Sequence, residues 1–209
     1  MISAREALER LREGNQRFAE GAGQLESHMA PRLRREFLDA QDPVAIILGC
    51  SDSRVPVEMV FDQDLGELFV IRVAGNVVSP SQIGSVEYAA ECFGTRLVVV
   101  LGHTQCGAVE VTLNELRQPS SNQSPNLRAI VDRIRPSVEG LLEEGVEDDS
   151  VALAEQAIRS NIRFSAENLS HGSRIIEQLV DDGKLLIVGA EYSLETGIVD
   201  FFYNTPLPD

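Results

Sequence analysis

The sequence predicts an α/β domain with a mainly parallel sheet flanked by helices. Four short apolar runs, residues 44–49, 68–72, 97–101 and 184–189, are bounded by polar segments, as is typical of strands that are buried on both faces. Longer segments with helical periodicity lie between them, which favours right-handed crossovers between parallel strands. Residues 197–203 are predicted to add an antiparallel edge strand. We therefore expect about four parallel strands and one antiparallel strand.

The N-terminal segment is predicted to be an amphipathic helical arm. Residues 4–18 carry Ala7, Leu8, Leu11 and Phe18 at helical spacing, and Ser3 precedes them as a possible N-cap. A helix with one apolar face needs a surface to cover. We expect the arm, residues 1–40, to pack on a partner subunit.

The remaining pattern predicts further helices separated by polar loops. The 209 residues show no internal repeat and no linker, so residues 1–209 are predicted to be a single domain. The predicted helices cover residues 32–40, 83–93, 105–116, 127–143, 151–169 and 171–181, and the predicted loops cover 19–31 and 118–126. The acidic segment 143–149 is expected to be a solvated turn.

The charge of the chain excludes some classes of partner. The formal net charge is −15, whereas nucleic acids and anionic membranes are bound by clustered Lys and Arg. No run of 18 apolar residues is present, which argues against a spanning helix. The charged N-terminus is unlike a secretory signal. We expect a cytoplasmic protein that binds neither nucleic acid nor membrane.

Cysteine and histidine side chains follow two of the predicted strands. Cys50 comes directly after the first strand, and His103 and Cys106 follow the third. Ligand sites of parallel sheets lie outside the carboxyl ends of the strands, and zinc prefers thiolate and imidazole ligands. If a helix starts near Thr104, His103 and Cys106 lie one helical turn apart. Three protein ligands would leave the fourth zinc position open, as in catalytic sites.

Other interpretations of the cysteines are weaker. Cys50 and Cys106 could be small buried hydrophobic residues, but Asp52, Arg54 and His103 would then have no reason to cluster with them. A disulfide is disfavoured because the chain has three cysteines and is expected to be cytoplasmic. A thiol redox protein would show a C-x-x-C pair, which is absent from the sequence. Cys92 is predicted to be a core residue of a helix.

These motifs resemble those of the β-class carbonic anhydrases over nearly the whole chain. The resemblance rests on C-S-D-S-R (50–54) and G-H-T-Q-C-G (102–107), supported by E-G-N-Q-R-F (13–18), G-E-L-F-V-I-R-V-A-G-N (66–76), S-V-E-Y-A (85–89) and E-Y-S-L-E-T-G (191–197). Members of this family are zinc enzymes that interconvert carbon dioxide and bicarbonate. They form dimers or dimers of dimers, with active sites at the subunit interface.

The resemblance implies a role for each matching residue. Cys50, His103 and Cys106 would hold one Zn²⁺ per chain, and Asp52 and Arg54 match the catalytic Asp–Arg dyad. The matching substrate-pocket positions are Gln41, which would reach in from a neighbouring subunit, and Phe69, Ala74, Tyr88 and Gly107, with Val55 completing the apolar wall.

The implied reaction is the reversible hydration of carbon dioxide to bicarbonate and a proton. Zinc hydroxide would attack carbon dioxide, oriented by Asp52, while a bidentate Arg54 keeps that carboxylate off the metal. Asp52 and Arg54 could instead be a structural ion pair, and Phe69 and Tyr88 could belong to the core or to a dimer interface.

One subclass of the family binds a regulatory bicarbonate through a Trp, an Arg and a Tyr. Arg72 and Tyr192 occupy the matching positions here, but Ile47 stands at the Trp position and the chain contains no Trp. We therefore predict the subclass whose active site is always accessible. The alternative functions are hydrolysis of carbon disulfide or carbonyl sulfide on the same scaffold, and a non-catalytic zinc protein.

Overall fold

A computed structural model of the chain describes residues 2–23, 41–119, 124–143 and 150–204. The predicted helix over residues 32–40 and most of the acidic segment 143–149 lie outside these ranges. Within these ranges, five strands form one sheet in the order β2-β1-β3-β4-β5. All neighbouring pairs are parallel except β4–β5, which confirms the predicted fold class. The strands are β1 Ala45–Gly49, β2 Leu68–Arg72, β3 Leu97–His103, β4 Leu186–Tyr192 and β5 Val199–Asn204.

Helices cover both faces of the sheet. In the described ranges they are α1 Ala4–Ala19, α2 Val57–Val60, α3 Pro80–Cys92, α4 Gly107–Arg117, α5 Pro125–Glu143, α6 Ser150–Ser170 and α7 Arg174–Asp181, and a 3₁₀ turn spans Ala74–Asn76. Neither α2 nor the 3₁₀ turn was predicted from the sequence, because neither is long enough to show a periodicity. Helix α3 begins three residues earlier than predicted, with Pro80 in its first turn, a position that needs no backbone N–H.

The sheet separates two hydrophobic cores. Successive side chains of a strand point to opposite faces, so Ile46 packs with helices α3 to α7 on one face, while Ile47 packs with α1 and α2 on the other. Every residue of β1 and β3 is buried. This explains why both strands are continuous apolar runs in the sequence rather than alternating ones.

Helix α1 packs on the sheet of its own chain. Ser3 and Glu6 form a capping box at its start, and Leu8 and Leu11 are buried in the second core. The prediction that the arm packs on a partner subunit stays a prediction.

The C-terminal half of α1 is tied to β5 through Asn15, which is buried. Its Nδ2 donates to the carbonyls of Val60 (3.1 Å) and Gly197 (2.8 Å), and its Oδ1 accepts from the Val199 N–H (2.8 Å). We call these four residues the Asn15 junction. A single side chain there joins α1, the end of α2 and the start of β5.

Cys92 is exposed at the end of α3, so its assignment to the core is wrong; the apolar face of this helix is provided by Val86, Ala89 and Ala90 instead. No helix in the described ranges is both long enough and apolar enough to cross a membrane.

Candidate metal centre

The carboxyl ends of β1 and β3 bring Cys50, His103 and Cys106 together. The two strands are parallel neighbours, with Gly49 opposite Leu101. Cys50 directly follows β1, and His103 is the last residue of β3. The ligand-type atoms of the three residues, two Sγ and one imidazole nitrogen, lie within 4.8 Å of one another, and all three residues are buried.

The route from His103 to Cys106 differs from the one expected. The one-turn spacing of the two residues was conditional on a helix starting near Thr104, but α4 begins at Gly107 with Cys106 as its N-cap. A turn reverses the chain instead, with Gln105 in the left-handed region (φ 57°) and the Thr104 N–H bonded to the carbonyl of Tyr192 (3.0 Å). Cys106 is therefore aimed at His103 by a backbone turn rather than by helical spacing.

The donor set fits a metal ion. The His103 Nδ1 lies 2.9 Å from the carbonyl of Thr104, so the neutral tautomer that donates there leaves Nε2 as a free acceptor. That buried Nε2 has no hydrogen-bond partner in the described part of the chain, and such atoms are rare unless they have a function. A hydrogen bond between the two thiols lowers the pKa of Cys50 and raises that of Cys106. A dication bound by both sulfurs would take the place of the proton they share.

The last residue of β2 and the 3₁₀ turn that follows the strand hold Cys50 in place. Arg72 Nε donates to the Cys50 carbonyl (2.9 Å), and the N–H of Gly75, in the 3₁₀ turn, lies 3.4 Å from Cys50 Sγ. Arg72 was expected only from its match to the regulatory bicarbonate site, and the contact between Gly75 and the sulfur was not predicted. The Gly-Asn pair at 75–76, shortly after the end of β2, is a turn signal and could have indicated that backbone approaches the site here.

Asp52 and Arg54 form a bidentate ion pair beside this cluster. Arg54 Nε and Nη2 donate to the two carboxylate oxygens at 3.0 and 2.8 Å, and the Arg54 backbone N–H donates to Oδ1 at 2.9 Å. The hydrogen bond from the Arg54 side chain is the largest cause that holds the pKa of Asp52 well below its usual range. Asp52 Oδ2 lies 3.8 Å from His103 Nε2, so the ionised carboxylate borders the cluster.

Arg54 and Arg72 also bind backbone carbonyls around the cluster. Arg54 Nη2 reaches the carbonyl of Gln105 (3.3 Å), and Arg72 Nη2 reaches that of Asp52. Ile47 is fully buried and Tyr192 is 6% exposed, with burial raising the Tyr192 pKa. The guanidinium of Arg72 is thus bonded to two backbone carbonyls. The predicted subclass, in which the active site is always accessible, stays a prediction.

The other predicted pocket residues lie at various places in a single chain. Phe69 and Tyr88 pack with Phe93, with ring centroids 5.4–6.2 Å apart, and Tyr88 is 52% exposed. Gln41 and Gly107 are exposed, Ala74 is half-buried and Val55 is buried. The structure thus leaves Tyr88 and Gln41 accessible, and their role in a pocket stays a prediction.

A cleft of about 510 Å³ borders the cluster on the Cys106 side. Its walls are α4, the first turns of α6 and the turn after β4, and its lining includes Gln105, Cys106, Val109, Leu113 and Ile158. Solvent can therefore approach the cluster closely along α4, although Cys106 itself is 3% exposed.

Comparison with known proteins identifies the family. The sequence model described as carbonic anhydrase matches residues 45–199, a range that contains all three ligand-type residues and the Asp52–Arg54 pair. The chain belongs to the carbonic anhydrase family. It is 36% identical to carbonic anhydrase 2 of Mycobacterium tuberculosis, over 91% of this chain and 89% of that protein. The chain is therefore a member of an enzyme family whose general reaction is the hydration of carbon dioxide.

Solved structures place it in the β class. The β-carbonic anhydrase CcaA is 28% identical, with a TM-score of 0.71 over 96% of this chain and 93% of that one. A structure from the study of two tetrameric β-carbonic anhydrases of Sordaria macrospora superimposes with a TM-score of 0.75 at 20% identity, over 93% of this chain and 96% of that one. These comparisons confirm the resemblance and the fold that the motifs predicted.

Proposed function

We propose that the chain catalyses the zinc-dependent, reversible hydration of carbon dioxide to bicarbonate and a proton. Cys50, His103 and Cys106 hold one Zn²⁺ per chain, and Asp52 and Arg54 act beside it. The observation that carries the proposal is the clustering of three buried ligand-type atoms within 4.8 Å, next to a carboxylate that Arg54 binds at both oxygens.

The ligand set explains why zinc is the proposed metal. Thiolate and imidazole are the ligands that zinc prefers over magnesium or calcium, and three protein ligands leave a fourth position for a reactant. When bound, zinc supplies an acidified water that is nucleophilic near neutral pH. The two thiolates neutralise much of the metal charge, so the residues around the site have to contribute to catalysis.

Asp52 is the residue that orients the nucleophile. Its pKa is held below the usual range by Arg54, so the carboxylate is ionised at neutral pH and accepts a hydrogen bond from the reacting water at Oδ2. Arg54 occupies both carboxylate oxygens, which prevents Asp52 from turning to become a metal ligand itself. The guanidinium thus determines which of two roles the carboxylate takes.

The substrate pocket is completed by two chains. Carbon dioxide is small and apolar, and the half-buried Ala74 and the aromatic rings of Phe69 and Tyr88 are suited to enclose it. Gln41 would donate a hydrogen bond to a substrate oxygen where negative charge develops, and Gly107 would leave room beside Cys106. Because Gln41 and Tyr88 are exposed in one chain, we propose that they serve the site of a partner in a cytoplasmic homodimer or dimer of dimers.

The test is carbon dioxide hydration by stopped flow between about pH 6.5 and 9, with zinc measured in the same samples. Asp52→Asn keeps the size of the side chain but removes its charge, and we expect hydration to fall by roughly 10²–10⁴-fold with one zinc per chain retained. Asp62→Asn is the matched control, because the buried carboxylate of Asp62 also forms an ion pair, with Arg17 (2.6 Å), but at the contact between α1 and the segment after α2. Its hydration rate should be unchanged.

Two results would contradict the proposal. Zinc-loaded protein without hydration at any pH would exclude the reaction and direct attention to sulfur analogues of carbon dioxide. Full activity of Asp52→Asn would exclude the role given to the carboxylate. Activity that appears only at high pH would keep the reaction but overturn the predicted always-accessible subclass.

A further inference from the structure

We propose that Asn161 is a positioning residue for the Cys50 sulfur, which it controls through the backbone of Gly75. Asn161 lies on α6 and is 1% exposed. Its Nδ2 donates to the Gly75 carbonyl (2.9 Å), and the N–H of Gly75 lies 3.4 Å from Cys50 Sγ. The inference rests on the proposed function in that Cys50 is taken to be a zinc ligand.

The 3₁₀ turn that carries Gly75 needs outside support. Gly75 and Asn76 both have positive φ angles, 68° and 45°, a region that costs free energy for residues other than glycine. A Cβ atom at Gly75 would lie 2.8 Å from Ile134 Cδ1 and 3.1 Å from Ala108 Cβ. The turn is therefore packed closely between α4 and α5, and Asn161 fixes its carbonyl from the third helix, α6.

The carbonyl and the N–H of Gly75 belong to adjacent peptide groups that meet at its Cα. Fixing the carbonyl therefore restrains the direction of the N–H, which has a direct consequence for the sulfur. An N–H that points at a thiolate fixes its position and withdraws electron density from it, and such indirect contacts tune metal ligands. The carbonyl of Cys50 is already held by Arg72. Gly75 adds a contact at the sulfur itself, so the Asn161 amide determines whether that N–H stays directed at the ligand atom.

A purely packing role for Asn161 is disfavoured by its second amide atom. Oδ1 is buried and has no hydrogen-bond partner in the described ranges, and leaving a buried polar atom unpaired reduces stability. An apolar residue of the same size would fill the space without that cost. The amide is retained, on this view, for its one bond to Gly75.

The test compares Asn161→Leu with Asn15→Leu in the full-length protein. Both changes replace a buried, hydrogen-bonded amide by an apolar side chain of similar size. Asn15 is the control because its amide bonds to the backbone of the Asn15 junction, on the α1 side of the sheet. We expect Asn161→Leu to speed the release of zinc to a chelator by about 10–100-fold. In the Co²⁺-substituted protein it should also move the thiolate-to-cobalt charge-transfer band to lower energy, because the sulfur loses an N–H donor. Asn15→Leu should change neither.

The outcomes separate this inference from the proposed function. Wild-type protein that takes up neither zinc nor cobalt would overturn both. Normal metal binding, with the same spectrum and release rate in Asn161→Leu as in wild type, would overturn the positioning role alone.

A second pair of variants and a measurement on wild-type protein test the inference if the Leu variants do not fold. Asn161→Ala and Asn15→Ala remove the same amides with smaller side chains and carry the same expectations. In wild-type protein loaded with ¹¹³Cd and labelled with [¹⁵N]glycine, a scalar coupling between the Gly75 amide proton and the metal would support the contact. Its absence would overturn the inference.

Discussion

Two buried polar regions of this chain have opposite characters. At the Asn15 junction, the amide of one side chain makes three hydrogen bonds to backbone atoms of distant segments. At the candidate metal centre, three buried side-chain atoms lack a hydrogen-bond partner in the described ranges: Asn76 Nδ2, His103 Nε2 and Asn161 Oδ1. Gln63 Oε1 is the fourth such atom, and it lies on the α1 side of the sheet.

The difference indicates what each region contributes. Satisfied buried polar groups rigidify and specify a fold, and the Asn15 junction joins elements that are up to 184 residues apart in the chain. Unsatisfied ones reduce stability and are retained where they have another function. We therefore expect changes at the junction to reduce stability and changes at the metal centre to reduce metal binding and catalysis.

The largest effect is expected from His103→Gln. This change removes one of the three proposed zinc ligands. Changes to residues that only contact a metal ligand typically lower metal affinity by about 10–100-fold, so we expect His103→Gln to lower zinc affinity by more than about 100-fold. His171→Gln is the control, because His171 is exposed and its Nδ1 is near Glu177 (3.2 Å). Zinc per chain after dialysis against a weak chelator is the measurement. Equal zinc content in both variants would contradict the assigned ligand set.

Asn15→Leu should produce the opposite profile. It leaves the Val60 and Gly197 carbonyls and the Val199 N–H without their partner, so we expect the free energy of unfolding to fall by about 3 kcal/mol. Zinc content and hydration rate per folded chain should be unchanged. Urea unfolding at a fixed protein concentration measures the loss. If metal binding also fell, the two regions would not be independent as the comparison supposes.

The smallest effect concerns Glu191, on β4 between the two regions. Burial raises its pKa above the usual 4.5, although Arg159 (3.0 Å) opposes the shift. The native state therefore binds the proton more tightly than the unfolded chain, and the contribution of Glu191 to stability falls as pH rises from about 4.5 through the raised pKa. Glu191→Gln should gain stability relative to wild type over that pH range.

Urea unfolding of wild type and Glu191→Gln at several pH values measures the difference. Asp200→Asn removes the other carboxylate bonded to Arg159 (2.6 Å) and serves as the control for loss of an ion pair. A difference between wild type and Glu191→Gln that does not change with pH would contradict the expectation.

Most of the fold was predictable because its signals are local. The apolar runs at 44–49 and 97–101 predicted the buried strands, although β3 continues to His103. Ser3 and the spacing of Leu8 and Leu11 predicted α1. Helix α2 and the 3₁₀ turn were missed because four and three residues are too few to show a period. Cys92 was wrongly assigned to the core because the residues of this helix do not show from their spacing alone which face of the helix is buried.

The sequence by itself determined the family and singled out the candidate site residues, because Cys50, Asp52, Arg54, His103 and Cys106 lie in short motifs that follow strands. The tertiary structure decided how those motifs are held. Gln105 takes a left-handed conformation and the Gly75 N–H points at Cys50 Sγ. Asn161, which lies 86 residues further along the chain, binds the carbonyl of the same glycine. Contacts of this kind leave no periodic signal in the sequence, because they depend on which elements pack side by side.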